Sequence, residues 1–388
     1  MPTPANLALQ GAQVLTPQGW LPDATVLIQD GRFVAVDQMP TPPGYTAIAA
    51  AAFHLLPGLV DIHGDAFERK ICPRPGVTLP LEMAMVENDR ALLAAGITTF
   101  FYSITDSFEP GLRSRDTVRQ LVTYVKGAAG KSLRTDSRIH IRHEQANTAD
   151  YGELCTWIET GQVDLLSLND HLPPSADLDD DSLRRYTTGM RQRVKLTDAE
   201  VRALVMAAFE QRDVGWQQIE ALVTLAHQVG VPVASHDDET MADVAVSRRR
   251  QVAIAEFPAS IDLAAQSQAY GAAVLMGAPN LVRGGSHVGY MSVEAAAKAN
   301  VLDCLCSDYH YPSLFHAPFK MADRGLMPFE LAWKLVSENP AQAAGLGDRK
   351  GKIAPGYDAD FLWLQPEQGL HDAIAAVYIG GQAIVQYS

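Results

Sequence analysis

Leu55-Leu56-Pro57-Gly58-Leu59-Val60-Asp61-Ile62-His63-Gly64-Asp65 decides how the rest of the chain is read. The apolar run predicts a strand, whose side chains alternate between two faces. His63 and Asp65, two positions apart, then point the same way and can grip one metal ion. Such a pair is weak evidence alone, because a surface turn produces the same letters by chance. The texture recurs, however. Arg142-His143-Glu144, Ser167-Leu168-Asn169-Asp170-His171, Ala234-Ser235-His236-Asp237-Asp238 and Cys306-Ser307-Asp308 each place a histidine or carboxylate at the end of an apolar, β-rich stretch.

Around these ends the pattern alternates β-rich and helical segments. Strands are expected at 57–63, 97–103, 138–144, 164–170, 232–236, 251–257, 273–277 and 302–307, with helices among them at Leu79–Ala95, Arg113–Gly127, Gly215–Val229, Ala259–Tyr270 and Pro328–Glu338. Eight strands alternating with helices predict an α/β fold, a (β/α)8 TIM barrel, over about the 250 residues such a barrel needs. Chemistry in these barrels sits where the strands end, at the C-terminal face, so the scattered residues become one cluster.

Residues 7–50 read instead as short strands and turns. Asp30-Gly31 between two β-rich runs is a hairpin signal. The C-terminal stretch has the same texture, so 1–55 with 353–388 is expected to form a small β domain, and 56–352 the barrel. Pro173 to Asp213 breaks the rhythm with an acidic run, Asp177-Leu178-Asp179-Asp180-Asp181, followed by several arginines. It reads either as a solvated, salt-bridged excursion or as a lid over the site.

Composition limits the partners. The 388 residues carry 45 acidic and 31 basic side chains, a formal charge of −14 that argues against a nucleic-acid or anionic-membrane footprint. The longest nearly apolar run, Ala47 to Val60, is broken by His54 and Pro57 and falls short of the ~20 residues of a membrane helix. No basic start followed by an apolar core opens the chain, so a cytoplasmic protein is expected. Four cysteines without a Cys-x-x-Cys pair fit a reduced compartment, with Cys304 and Cys306 as small buried side chains.

The expected ligand set is His63, Asp65, Glu144, His171, His236 and Asp308. Six ligands, split three and three or with Glu144 bridging, would hold two divalent metal ions that acidify one water and clamp both the attacked group and the leaving oxygen. Imidazoles favour zinc first, with manganese or iron as alternatives. Asp308 is the expected catalytic residue, taking the proton of that water. His143 has the opposite parity to His140, Arg142 and Glu144, so it is expected on the helix-facing side. Taken singly, His171 or His236 reads equally well as a satisfied structural histidine, and Asp237 and Asp238 as helix caps.

Pro57-Gly58-Leu59-Val60-Asp61-Ile62-His63, the distal His and carboxylate set, Ser307-Asp308 and Ile353-Ala354-Pro355-Gly356-Tyr357-Asp358-Ala359-Asp360-Phe361 together resemble the amidohydrolase superfamily over nearly the whole chain. His63-Gly64-Asp65 with Glu68-Arg69 and Pro73-Arg74-Pro75-Gly76-Val77 is similar to its PhnM-type branch. So are Ser167 to His171, Ser235 to Asp238, and Met276 to His287. That branch comprises the alpha-D-ribose 1-methylphosphonate 5-triphosphate diphosphatases. The resemblance implies hydrolysis of a phosphoanhydride of a ribose 5-triphosphate ester to the 5-phosphate and pyrophosphate, in phosphonate catabolism. Asp65 stands where many superfamily members have a second histidine, and Glu144 where others use a carboxylated lysine, both in keeping with the branch. The count puts Glu144, His171 and His236 on strands three, four and five, whereas the superfamily commonly takes its two single histidines from five and six. Either a short strand goes undetected or the scaffold is shifted.

A triphosphate tail needs cations and backbone donors. Arg69 and Arg74 follow the first ligands, and Arg283-Gly284-Gly285-Ser286-His287 follows a strand. Arginine binds phosphate through two N–H groups, and consecutive glycines let backbone N–H groups approach it. Arg69, Arg74, Arg283, Gly284, Gly285 and His287 are therefore the expected substrate-binding residues. Gly284-Gly285 as a plain turn and the arginines as ion-pair partners are the plainer readings. The expected partner is a small phosphorylated sugar, and self-association into a homo-oligomer is compatible with the sequence. A cyclic amidase or deacetylase using the same metals is the rival enzyme, separated only by the pocket arginines. A non-catalytic assembly protein on the same scaffold would be expected to have lost ligands.

Overall fold

Eight parallel strands form one sheet, each beside the next in chain order. They are β1 (Leu59–Gly64), β2 (Ile97–Asp106), β3 (Asp136–Glu144), β4 (Leu165–Asn169), β5 (Val233–His236), β6 (Ile254–Glu256), β7 (Ala273–Gly277) and β8 (Cys304–Cys306). The computed structural model describes residues 6–74, 76–172, 179–285, 289–365 and 374–387. All eight expected strands are present, and among the described residues this sheet has no ninth, so the strand count stands. Glu144 ends β3, His171 lies two residues past β4, and His236 ends β5.

The ring closes between β1 and β8. Asp308 N–H donates to the His63 carbonyl at 3.0 Å, and Asp65 N–H donates to the Asp308 carbonyl at 3.0 Å. Inside this seam the buried Asp61 carboxylate accepts from the backbone N–H of His63 at 3.3 Å and of Ser307 at 3.1 Å. Burial pushes the Asp61 carboxyl up to about 6, against the hydrogen bonds from Ser307 and His63 that favour its charged form. Gly64 is required here for space. A Cβ on it would lie 2.5 Å from the Phe100 ring and 2.9 Å from Ser307 Oγ.

Below the mouth the barrel is apolar, with Val60, Phe101, Leu165, Ala234, Leu275 and Cys304 fully buried in one cluster. Cys304 and Cys306 are buried as expected, and desolvation raises both thiols. Amphipathic helices cover the outside. Arg115–Ala128 is typical, since Ser114 caps it by accepting from Thr117 N–H and Val118, Leu121, Val122 and Val125 face the sheet.

The second sheet draws on both ends of the chain. Its order is Gln382–Gln386, Ile374–Ile379, Phe361–Leu364, His54–Pro57, Asn6–Thr16, Gly19–Gln29 and Arg32–Asp37, with Thr46–Ala49 also on Asn6–Thr16. Phe361–Leu364 runs antiparallel to His54–Pro57, the strand that leads into β1. Asp30 and Gly31 make the expected hairpin, both at positive φ. Among the described residues no helix is long and apolar enough to cross a membrane.

The excursion between β4 and β5 is helical from residue 180: Asp180–Tyr186, Thr188–Arg193 and Asp198–Glu210. It has a small core of Leu183, Met190, Val201 and Val205. Arg193 ties it to Glu109, which follows β2, at 2.7 Å. Residues 173–178 lie outside the described residues.

Substitutions at two positions test the seam. Gly64→Ala should cost about 1–3 kcal/mol through overpacking. Asp61→Ala should cost on the order of 1–3 kcal/mol for each N–H it strands, whereas Asp61→Asn, which keeps an acceptor oxygen, should lose less. Chemical denaturation monitored by circular dichroism reads both, and equal stability of the Ala and Asn variants at 61 would contradict the role given to the carboxylate.

Candidate metal centre

Strand β3 feeds the mouth with a column of side chains, because residues two apart share a face. His140, Arg142 and Glu144 point inward, in that order from floor to rim. His140 Nδ1 lies 3.0 Å from the Ile62 carbonyl oxygen, which can only accept, so Nδ1 carries the proton and Nε2 keeps its lone pair. That Nε2 is buried without a hydrogen-bond partner, 3.8 Å from Glu256 Oε1. Burial lowers the ring's pKa to about 3 and keeps it neutral. Glu256, at the end of β6, accepts from His63 Nδ1 at 2.9 Å and Ser167 Oγ at 2.9 Å. Its burial pushes the carboxyl up, but the neighbouring His63 and the hydrogen bond from it outweigh this and hold it well below the ordinary range. His63, His140 and Glu256 thus offer ligand atoms that all lie within 4.8 Å of one another.

His171, His236 and Asp237 form a second group at the same spacing, nearer the rim. Asp237 follows strand β5 at φ 55°, a left-handed conformation that aspartate tolerates. The turn brings its carboxylate 3.1 Å from His236 Nδ1 and 3.8 Å from His171 Nε2. Glu144 contacts the His171 ring and accepts from His171 backbone N–H at 3.2 Å. The negative charge of Glu144 raises His171, while burial of Glu144 is outweighed by the His171 charge and its hydrogen bonds. His236 is lowered by burial against the pull of Asp237. Ring centroids of His63 and His236 stand 5.6 Å apart, and those of His171 and His236 5.5 Å, so the two groups abut. Phe257 sits edge-on to His63 and His236. It does so at φ 57°, a strained backbone for so bulky a residue.

The expected ligands gather at this one end of the barrel. His63, Asp65, His236 and Asp308 line a single cavity of about 250 Å³, and Glu144 and His171 adjoin it as a pair. Asp308, like Asp237, lies just past its strand at positive φ, 53°. His143 faces away, as its parity requires, with Nδ1 2.7 Å from Asp106, whose carboxylate also takes two hydrogen bonds from Arg115. Of the expected phosphate binders, Arg69 reaches the Tyr309 carbonyl, and Arg283 lies 3.5 Å from the Tyr309 hydroxyl, at the cavity rim. Arg74 is exposed on a turn paired with Val77 and does not line the cavity. The expectation for Gly284 and Gly285 needs correction. Both their N–H groups donate to the Asn280 carbonyl and end the helix Ala278–Arg283, so those donors are already committed. His287 lies outside the described residues.

Four side chains at the centre were not among the expected ones: His140, Arg142, Asp237 and Glu256. His140 and Arg142 share the parity of Glu144, and Glu256 closes the sixth β-rich stretch, so signals existed. Asp237 resembled a helix cap, but Thr240 caps the helix Met241–Arg249 and leaves Asp237 to the histidines. Asp238 instead accepts from Ser235 Oγ at 2.8 Å.

Residues 54–384 match the amidohydrolase family model. The chain belongs to the amidohydrolase family. This amidohydrolase is 35% identical over 320 residues, 79% of this chain and 82% of the other, to the alpha-D-ribose 1-methylphosphonate 5-triphosphate diphosphatase of Escherichia coli (strain K12). Its fold is similar to the crystal structure of a beta-aspartyl dipeptidase from Fervidobacterium islandicum AW-1 (TM-score 0.64, 14% identity, 98% of this chain and 97% of that one). It also resembles a dihydropyrimidinase from Brevibacillus agri NCHU1002 (TM-score 0.60, 15% identity, 98% and 95%). Amidohydrolases are metal-dependent hydrolases, and the unpartnered, buried His140 Nε2 is the kind of lone nitrogen a divalent ion satisfies.

Elemental analysis of protein reconstituted with divalent metal should find bound ion, and His140→Ala should lose about one ion per chain with its far-ultraviolet circular dichroism unchanged. Full metal content in that variant would remove His140 from the donor set.

Proposed function

We propose that this amidohydrolase is a diphosphatase that cleaves a phosphoanhydride of a ribose 5-triphosphate ester, alpha-D-ribose 1-methylphosphonate 5-triphosphate in phosphonate catabolism, and releases pyrophosphate. The observation that carries the reading is the pairing of a dense His and carboxylate mouth with two rim arginines, Arg69 and Arg283, converging on Tyr309. The similarity to the Escherichia coli diphosphatase supports the same substrate class.

His63, Asp65, Glu144, His171, His236 and Asp308, with His140, Asp237 and Glu256, would hold two divalent ions, zinc first. Bound there, the ions would acidify water and neutralise charge building on the phosphoryl oxygens. Asp308 takes the proton of the attacking water, from a position where Gly277 leaves it room: a Cβ at 277 would come 3.0 Å from its Oδ2. Arg69 and Arg283 bind the outer phosphates. Phe257, Met276 and Met291 wall the cavity and keep bulk water from it. Pyrophosphate is a good leaving group and needs no strong acid. The helical excursion above residue 180, tied to Glu109 by Arg193, acts as a cover over this end of the barrel.

Metal-replete enzyme should release pyrophosphate from a ribose triphosphate ester and leave cyclic amides untouched; turnover of amides without phosphate release would defeat the reading. His236→Ala and Asp308→Asn should lose turnover while retaining the fold. A wild-type rate in either would mean that its role is misassigned. Arg283→Ala should mainly raise KM, and an unchanged affinity for polyphosphates would remove that contact.

A further inference from the structure

We propose that Arg142, midway up the inner wall of the mouth, is a substrate-binding residue that grips phosphoryl oxygens beside the scissile anhydride. The proposal deepens the diphosphatase reading and rests on it for the identity of the anion. Arg142 sits between His140 and Glu144 on the inward face of β3, its side chain only 9% exposed. One of its terminal nitrogens lies 2.9 Å from His236 Nε2, and the other 3.7 Å from Asp65 Oδ2. Its Nε is buried with no hydrogen-bond partner.

Among the described residues that line the cavity, Arg142 is the one lysine or arginine, set against Asp65, Asp237 and Asp308. Arg69 and Arg283 are both exposed, outside that lining, so they meet the far end of a polyanion rather than its reacting end. Cations bound in this mouth would repel the buried guanidinium, and an anionic substrate joining them would offset that repulsion. His236 Nε2 and Asp65 Oδ2, the atoms that Arg142 now holds, both belong to the proposed donor set. Ions held by those atoms would leave the guanidinium's planar N–H donors free, and their spacing matches two phosphoryl oxygens. A neutral cyclic amide offers no such pair of charged oxygens, so the same residue selects against the rival substrate class.

The test compares the binding of inorganic pyrophosphate, by calorimetry, to zinc-reconstituted wild type, Arg142→Ala, Arg142→Gln and Arg142→Lys, with bound metal and unfolding midpoint measured on each. Expected is a loss of affinity on the order of 30-fold or more in the two neutral variants. The lysine variant should recover part of it, since ammonium restores charge without the fork. Metal content should stay at the wild-type level. The glutamine variant preserves a polar side chain in the cavity and carries the test if the alanine variant does not fold. Wild-type affinity in the neutral variants, absence of pyrophosphate binding by wild type, or affinity lost only in step with metal would each overturn the assignment. If wild type cleaves the triphosphate ester while the neutral variants bind pyrophosphate normally, Arg142 falls and the diphosphatase reading stands. If wild type cleaves no phosphoanhydride but pyrophosphate affinity still depends on residue 142, the reading falls and the anion site remains.

Discussion

The seam between β1 and β8 is the constraint on which the site depends. A parallel ring holds its strand ends in fixed neighbourhood only if its first and last strands pair, and here that pairing is made by His63, Asp65 and Asp308, residues of the mouth themselves. Their backbones close the barrel and their side chains face one cavity. Asp61, buried beneath them, accepts from both strands and spans the joint. The geometry of the centre is thereby set by backbone hydrogen bonds rather than by the mutual attraction of charged heads, which would repel one another if left to themselves.

From that closure the rest of the polar network follows. Three strands are followed by left-handed residues, Asp237 after β5, Phe257 after β6 and Asp308 two residues past β8. Each abrupt turn places a side chain against the histidines instead of letting it run outward. The conformation is cheap for the aspartates and costly for Phe257, and the strain is stored beside His63 and His236. Burial sets neighbouring groups against each other: His140 is kept neutral, while the proton between Glu144 and His171 lies with the histidine. A divalent ion that took those atoms would have to displace that proton, so metal binding and acidity are coupled in this mouth.

The barrel was legible in the sequence because each strand is a short apolar run bounded by turn residues, and the residue just past it breaks the apolar pattern. His63, Glu144, His171, His236 and Asp308 stood out for that reason. His140 and Glu256 did not, since a histidine inside a strand reads as a satisfied core residue until its Nε2 is seen to lack a partner. Arg142 was hidden for the same reason, as part of a column whose inward direction depends on the closed ring. Gly284-Gly285 shows the opposite error. Two glycines after a strand suggested a phosphate cradle, yet a helical turn intervenes and Asn280 takes both their N–H groups. Spacing along the chain reports which residues share a face, but not which hydrogen bonds have already been spent.

Anomalous diffraction from crystals of the zinc-reconstituted protein tests the central claim most directly. The account predicts peaks inside the mouth, one among His63, His140 and Glu256 and one among His171, His236 and Asp237, with Asp65, Glu144 and Asp308 beside them. A mouth without peaks, or peaks bound elsewhere on the molecule, would contradict it.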